Sequence, residues 1–510
     1  MRRGLGSGVH TCCGNWLSRR QLLRLGTMLP ATAEFTATAL GTPTATFGTP
    51  PKQPPVRLPL RVQPALVYEF YKRIPERSWR PWGGLMTPQD VAEEKDRIGR
   101  ELEHLKQVAE FPLEFLPLAE ISRADQVSKL STLEFDSLLI YAASGGVQVY
   151  EALNRLGKWN LIFVRHRSGP VYLWYEIVHP RLLRKTVDEY GEPGLGPDDV
   201  VVDELADLVW RLRALAALKN TVGKRIVCVG GPSGWGKGGQ MAPARTRTVF
   251  QMELVTVSYE ELAKRIEAAR QDPDRVQQAR QQASDYLRDP DVRLETERAF
   301  VENAFLLTGV FHDLLAEHQT DAITINHCMT AIMPVGKTTA CLPLSLLNDA
   351  GYLAFCESDF VVIPSGVLLH YVAGQPVFLN DPTYPHHGLV TLAHCTAPRC
   401  MDGHHPEPVR ILTHFESDYG AAPKVQMRKG QVVTNLVPDF NFERWIGFTG
   451  EIVDTPFLAI CRSQIDVSIR GDWQRLVHQM RGFHWMTCYG DWVRETGYAL
   501  RRLGLKFETL

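Results

Sequence analysis

Apolar positions along this chain follow two different periods. Between Val67 and about Asn220, short continuous apolar runs such as Leu138-Leu139-Ile140-Tyr141 and Leu161-Ile162-Phe163-Val164 are separated by helically spaced stretches, Pro88 to Val108 and Val202 to Leu218. Runs that are apolar at every position suit strands buried on both faces, and their alternation with helices predicts a parallel sheet with helices over it. The pattern restarts at Arg225-Ile226-Val227-Cys228-Val229 and continues through Leu254–Val257 and Ala322–Ile325. Between those runs, the charged stretch from Tyr259 to Glu297, broken at Asp272-Pro273 and Asp289-Pro290, predicts solvated helices. From about Gly374 short strands punctuated by Gly and Pro take over, with a hairpin expected across Val425 to Val433, before a closing helix from Trp492 to Leu503. The expected fold is α/β: two doubly wound parallel-sheet domains, 65–220 and 221–373, followed by a β-rich C-terminal domain, 374–510. No internal repeat is evident.

Length and composition fit this layout. At 510 residues the chain exceeds one core and suggests about three domains. With 44% hydrophobic and 22% charged residues it reads as globular, and a net charge of −1 without a clustered basic face offers no general attraction to nucleic acid or anionic membranes. The ten cysteines are scattered apart from Cys12-Cys13, and Cys228, Cys341, Cys356 and Cys461 sit in apolar runs, so buried thiols are expected rather than a disulfide framework. No apolar run approaches the ~20 residues that cross a bilayer. Residues 1–64 differ in kind. Ser18-Arg19-Arg20-Gln21-Leu22-Leu23-Arg24 resembles a twin-arginine export signal, with Ala31-Thr32-Ala33 or Ala37-Thr38-Ala39 as small-residue cleavage sites, and the Thr/Ala/Pro-rich 29–64 is expected to be a linker. A disordered extension, or a start at Met28, fits the same segment.

Chemistry concentrates at two carboxylates and a histidine. Glu357 in Cys356-Glu357-Ser358-Asp359, Asp381 in Leu379-Asn380-Asp381-Pro382 and His484 in Gly482-Phe483-His484-Trp485 are expected at strand ends. Two oxygen donors and one imidazole from separate segments make a divalent-metal site that keeps coordination positions open for a substrate with adjacent oxygens. Taken singly, Glu357 is equally a surface carboxylate and Asp381 before a proline a natural turn residue.

Tyr352-Leu353-Ala354-Phe355 running into Cys356-Glu357, then Gly374-Gln375-Pro376-Val377-Phe378 leading to Asp381, and a final His-x5-Gly-Asp element (His484, Gly490, Asp491) resemble the L-fucose isomerase family and its L-arabinose isomerase relatives. Asp321-Ala322-Ile323-Thr324-Ile325 and Ala340 through Asp349 resemble the strand and helix that precede the first carboxylate there. The similarity spans roughly residues 130 to 510, most clearly 320 to 400 and the C-terminus. It implies a metal-dependent aldose–ketose isomerase acting on a pentose or 6-deoxyhexose through an enediol. Glu357 and Asp381 match the positions that are both metal ligands and acid/base groups, and His484 matches the third ligand. Hard oxygens with one imidazole suit Mn²⁺ or a similar cation. The resemblance also implies a cytoplasmic homo-oligomer, trimer or hexamer, in which Arg165-His166-Arg167-Ser168-Gly169 is positioned to touch a neighbouring subunit's site. Lys337, His394, Trp485 and Tyr489 are candidate sugar contacts, with packing the competing role for the two aromatics. A different metal-dependent sugar enzyme, such as an epimerase or aldolase, or a non-catalytic sugar-binding protein on the same scaffold, remains as the alternative.

Other motifs point elsewhere and fall short. Gly231-Pro232-Ser233-Gly234-Trp235-Gly236-Lys237-Gly238 has the G-x4-G-K part of a phosphate loop, but Gly238 stands where Ser or Thr should hold Mg²⁺. Ala331 through Thr338 has Lys-Thr but lacks the first Gly. Both are expected to be loops facing the cleft. His394-Cys395, Cys400 and His404-His405 are irregularly spaced for a structural zinc.

Overall fold

The computed structural model describes residues 57–81, 83–183 and 192–510, so Arg19, Arg20 and the expected cleavage sites lie outside the described residues. The first sheet is parallel throughout. It contains β1 (Leu60–Val67), β2 (Leu113–Phe115), β3 (Ala119–Ile121), β4 (Ser137–Ala142), β5 (Trp159–Val164) and β6 (Val200–Val202), in the order β2-β1-β4-β5-β6 with β3 also on β1. The expected linker therefore ends earlier than residue 64: Leu60 through Pro64 already belong to β1, and Leu60 and Val62 are fully buried. The helix Pro88–Val108 forms as its spacing predicts, with Thr87 and Asp90 closing a capping box at its start. One face of this sheet is crossed by a buried cation. The Arg165 side chain bonds Glu101 at 2.8 Å and Glu94 at 2.5 Å, and Arg165 and Glu94 are both fully buried. Arg165 is thus held within its own fold, so of the segment 165–169 its side chain is bound internally.

A second parallel sheet, β7 (Arg225–Val229), β8 (Glu253–Val257), β10 (Ala322–Ile325) and β11 (Leu353–Cys356), runs β11-β10-β7-β8. The chain winds outward from β7 through β8, crosses back, and fills the other side. The crossover carries the expected charged helices Tyr259–Gln271 and Pro273–Leu287, Asp272 capping the second, then β9 (Val292–Leu294) and the helix Arg298–Glu317. That last helix spans 20 residues at a mean hydropathy of 1.3, long and apolar enough to cross a bilayer, which corrects the expectation that no apolar stretch reaches that length. Its apolar positions are divided between two core clusters, Val301 and Ala304 in one and Leu307, Val310 and Phe311 in the other, as in a helix packed inside a protein.

The C-terminal region is a closed barrel with a small sheet beside it. Strands β12 (Phe378–Pro382), β13 (Leu389–His394), β16 (Val432–Val437), β17 (Arg444–Asp454), β18 (Ser463–Ile469) and β19 (Trp485–Tyr489) pair antiparallel in the order β16-β19-β12-β13-β18-β17, and β17 returns to β16 to close the ring. β20 (Lys506–Thr509) adds to β17 in parallel, while β14 (Val409–His414) and β15 (Tyr419–Val425) form a separate sheet with β9. The expected hairpin over Val425 to Val433 does not form. The turn at Gly430 is real, with φ of 79°, but the flanking strands go to different sheets, β15 to β14 and β16 into the barrel.

The three regions share their cores. A single cluster contains Leu66 of the first sheet, Leu215 of the helix Leu205–Thr221, Phe355 of the second sheet, Leu368 of the helix Ile363–Ala373 and Met486 of the barrel, and the described residues fall in one compact unit. The expected boundaries at 220/221 and 373/374 thus mark changes of architecture inside one body. Barrel closure leaves little room at Gly450 of β17, where an added Cβ would lie 2.3 Å from Val467 Cγ1 and 2.7 Å from the Ser468 carbonyl oxygen. Gly450→Ala is expected to lower unfolding stability by about 1–3 kcal/mol, read as a lower urea midpoint; an unchanged midpoint would contradict this packing.

Candidate metal centre

The second sheet positions the first carboxylate. Its strands are parallel, so the loops after β7, β10 and β11 emerge at one edge, where open parallel sheets present ligand-binding groups. The chain leaves β11 through two successive non-glycine residues in the left-handed region, Glu357 at φ 64° and Ser358 at φ 48°. Such residues cost of order 1–3 kcal/mol each and persist only when their surroundings hold them. The loop after β7 holds them here: Ser233 N–H donates to the Ser358 carbonyl at 3.1 Å, and Phe360 N–H donates to the Ser233 carbonyl at 3.0 Å.

The strained turn allows Glu357 and Asp359 to address opposite sides of one imidazole. His484 Nδ1 pairs with Asp359 Oδ2 at 2.8 Å, while His484 Nε2 lies 3.6 Å from Glu357 Oε2 and 3.2 Å from Asp381 Oδ1. Asp359 also accepts from the backbone N–H groups of Trp235 at 3.3 Å and Val361 at 3.1 Å, which fix its carboxylate. A carboxylate on one ring nitrogen orients a histidine and leaves the other nitrogen free for a metal. Asp381 arrives on β12 and His484 immediately precedes β19, adjacent strands of the barrel. The expected trio is therefore assembled in one place, across the second sheet and the barrel.

The unsatisfied atoms define the centre. Glu357 Oε2, Asp381 Oδ1 and His484 Nε2 are all shielded from solvent and lack a hydrogen-bond partner. The Asp381 side chain as a whole is 34% exposed, so one of its edges faces the opening while Oδ1 faces inward. Two carboxylate oxygens, each facing His484 Nε2 and each without a hydrogen-bond partner, would be costly in a bare protein. Two carboxylate oxygens and one imidazole are the donor types that suit a borderline-hard divalent cation. His394 Nε2 lies 4.0 Å from Glu357 Oε1 and its Nδ1 3.0 Å from Thr396 Oγ1, so this expected sugar contact does border the centre. Of the expected trio, Glu357 and His484 form with His394 a group whose ligand atoms all lie within 4.8 Å of one another, and Asp381 stands outside that group, facing His484 alone among its members.

Electrostatics point the same way. Burial raises the Glu357 carboxyl above its ordinary value, with the His484 charge opposing it. Asp381 is pushed up to about 7 by burial, opposed by His484 and reinforced by Glu357 and by Glu416. Burial works against a charged His484, but the bond to Asp359 and the Asp381 carboxylate outweigh it and leave its pKa raised. Burial lowers His394 to about 3, so it presents a neutral ring. Asp381 thus holds a proton up to near neutrality that a cation would displace, and burial shifts Glu357 in the same direction.

Other expected contacts lie elsewhere. Strand alternation along β19 sends Trp485 and Tyr489 into the barrel core and Met486 and Cys488 toward the helix Ile363–Ala373. Trp485 donates to the Arg481 carbonyl at 3.2 Å, and the Tyr489 hydroxyl donates to Glu407 at 2.8 Å, so both are packing residues and not sugar contacts. Lys337 is exposed, at φ 48°, and bonds none of the centre's residues. The loop at Gly231–Gly238 does face the centre. Its Trp235, 40% exposed, stacks on Phe483, 45% exposed, at 4.4 Å and 9° between planes, beside His484. Sequence reasoning passed over Asp359, Trp235, Phe483 and Glu416. Asp359 stood in the quoted Cys356-Glu357-Ser358-Asp359, but only the left-handed turn reveals that it shares a histidine with Glu357.

No protein-family model and no curated protein matches this chain.

A cation competing for the Asp381 proton binds more tightly as pH rises toward about 7 and levels off above it. Below that, affinity for Mn²⁺ is expected to fall roughly tenfold per pH unit for each proton displaced, read by calorimetric titration. Asp359→Asn, which removes the carboxylate that orients His484, is expected to weaken Mn²⁺ binding about 10- to 100-fold. Affinity flat across this range, or unaltered in Asp359→Asn, would remove the centre as described.

Proposed function

We propose that this chain is a divalent-metal-dependent aldose–ketose isomerase of the L-fucose and L-arabinose isomerase type, acting on a pentose or 6-deoxyhexose. The observation that carries the reading is the meeting of three buried, unpartnered donor atoms, from Glu357, Asp381 and His484, at the mouth between a parallel sheet and a barrel. When bound, Mn²⁺ or a similar ion supplies Lewis acidity to the adjacent carbonyl and hydroxyl oxygens of the open-chain sugar.

The remaining work falls to the protein's own groups. Isomerisation moves one proton between neighbouring carbons and one between their oxygens. Glu357 and Asp381 approach His484 Nε2 from separate segments, so one carboxylate can take the carbon-bound proton and return it to the adjacent carbon. The other passes the hydroxyl proton to what was the carbonyl oxygen. The Asp381 carboxyl, pushed up to about 7, has donor and acceptor forms both populated near neutral pH, which suits transfer in either direction. The neutral His394 ring bordering Glu357 is available to a sugar hydroxyl. The exposed Trp235–Phe483 pair offers an apolar face against which the C–H side of a sugar packs, the usual use of aromatics at such sites.

Purified protein with Mn²⁺ is expected to convert at least one pentose or 6-deoxyhexose aldose to its ketose, with solvent deuterium entering at the reacting carbon in heavy water. Glu357→Gln is expected to lower kcat by about a hundred- to ten-thousandfold. Sugar binding without turnover and unaffected by chelator would move the chain to a binding role. Cleavage products without isomerisation would make it an aldolase.

A further inference from the structure

A second group of ligands converges beside the barrel, from residues that no part of the isomerase reading uses. Cys341 opens the helix Cys341–Asp349, Cys395 follows β13, and His414 ends β14. All three are buried, and their ligand atoms lie within 4.8 Å of one another. Cys461, in the loop before β18, packs against the same cluster of Cys341, Cys395 and Ala422. Donors arranged tetrahedrally about 2.3 Å from an ion lie roughly 3.8 Å apart, so Cys341, Cys395 and His414, within 4.8 Å of one another, need close in only slightly on an ion, with Cys461, outside that group of three, turning in as the fourth donor. The cysteine–histidine run 394–405, set aside on its spacing, shares only Cys395 with this group. Cys400 instead gives its backbone N–H to Asp349 at 2.8 Å, and the exposed His404 and His405 gather on Asp402.

The surroundings are those of a metal site and not only of packed thiols. The Ser417 hydroxyl lies 3.1 Å from His414 Nδ1, which leaves Nε2 to face a metal. The Arg462 backbone N–H lies 3.5 Å from Cys395 Sγ, a donor that favours a thiolate over a thiol. The Arg462 side chain donates to the Thr413 carbonyl at 2.7 Å, and its charge is felt by His414. Three thiolates and a neutral imidazole around a divalent ion carry a net charge of −1, which that guanidinium balances.

We propose that Cys341, Cys395, Cys461 and His414 bind a thiophilic divalent cation, Zn²⁺, in a closed tetrahedral site of three sulfurs and one nitrogen. The site joins a helix of the second-sheet region, the barrel and the small β14–β15 sheet. It fixes Cys395, the neighbour of His394, and so braces one wall of the candidate metal centre without taking part in it. Binding displaces one proton from each thiol to solvent.

The test uses the full chain, purified under reducing conditions, stripped by chelator and refilled with Co²⁺ in place of Zn²⁺. Tetrahedral cobalt with three thiolates gives strong visible d–d bands and near-ultraviolet sulfur-to-metal charge transfer; cobalt on carboxylates and imidazole alone gives neither sulfur band nor comparable intensity. The sulfur bands are expected to appear, to be displaced by stoichiometric Zn²⁺, to persist in Glu357→Gln and to disappear in Cys395→Ser. Alkylation mapped by mass spectrometry on the wild-type chain supplies a readout independent of variant folding. Zn²⁺ is expected to slow modification of Cys341, Cys395 and Cys461 at least tenfold and to leave Cys400 unchanged. Absence of the sulfur bands, or alkylation of the three cysteines indifferent to Zn²⁺, would overturn the proposal. Neither result depends on whether the chain isomerises a sugar.

Discussion

An imidazole buried among three carboxylates governs the centre of this molecule. Asp359 takes one nitrogen of His484, while Glu357 and Asp381 crowd the other. Negative charge at that density, shielded from water, is tolerated only with protons or a cation. The surrounding architecture serves to keep these groups together. The left-handed residues Glu357 and Ser358, the backbone bridge to Ser233, and the convergence of β11 with the barrel strands β12 and β19 each hold in place a group that would otherwise move apart.

The sharing of cores across the chain follows from the same requirement. A centre split between a sheet edge and a barrel, if it is to hold the proposed cation, needs the two held rigidly, because ligand geometry tolerates only fractions of an ångström. The helix Ile363–Ala373, buried along its whole length, lies directly after the Glu357 turn and packs against the barrel through Met486. On the other side, β9 leaves the second-sheet crossover to pair with β14, and Gly420 approaches Thr339 so closely that a Cβ there would sit 2.5 Å from its backbone nitrogen. The thiol and histidine group at Cys341, Cys395 and His414 lies along this second seam.

Much of this was legible in the chain. Continuous apolar runs marked β4, β5, β7 and β10 correctly because strands buried on both faces leave no polar alternation. Glu357, Asp381 and His484 were legible as donors of types that share a metal, and they do meet. What escaped depends on non-local geometry. Asp359 needed a backbone conformation that non-glycine residues seldom adopt. Trp485 and Tyr489, for which packing competed with sugar contact, pack in the barrel core, because the period of a strand turns alternate side chains away from the face their neighbours use. The hairpin at Gly430 failed because a turn signal specifies a reversal and not the partner of the strand that follows. Cys341, Cys395, Cys461 and His414 come from segments too far apart for any spacing rule to group them.

The most direct measurement is anomalous diffraction at the manganese edge from crystals of the full chain soaked in Mn²⁺. A single strong anomalous peak within coordination distance of Glu357, Asp381 and His484 Nε2 is the predicted result. Full-occupancy density for those three side chains with no peak between them, each satisfied by water or by another residue, would contradict the account.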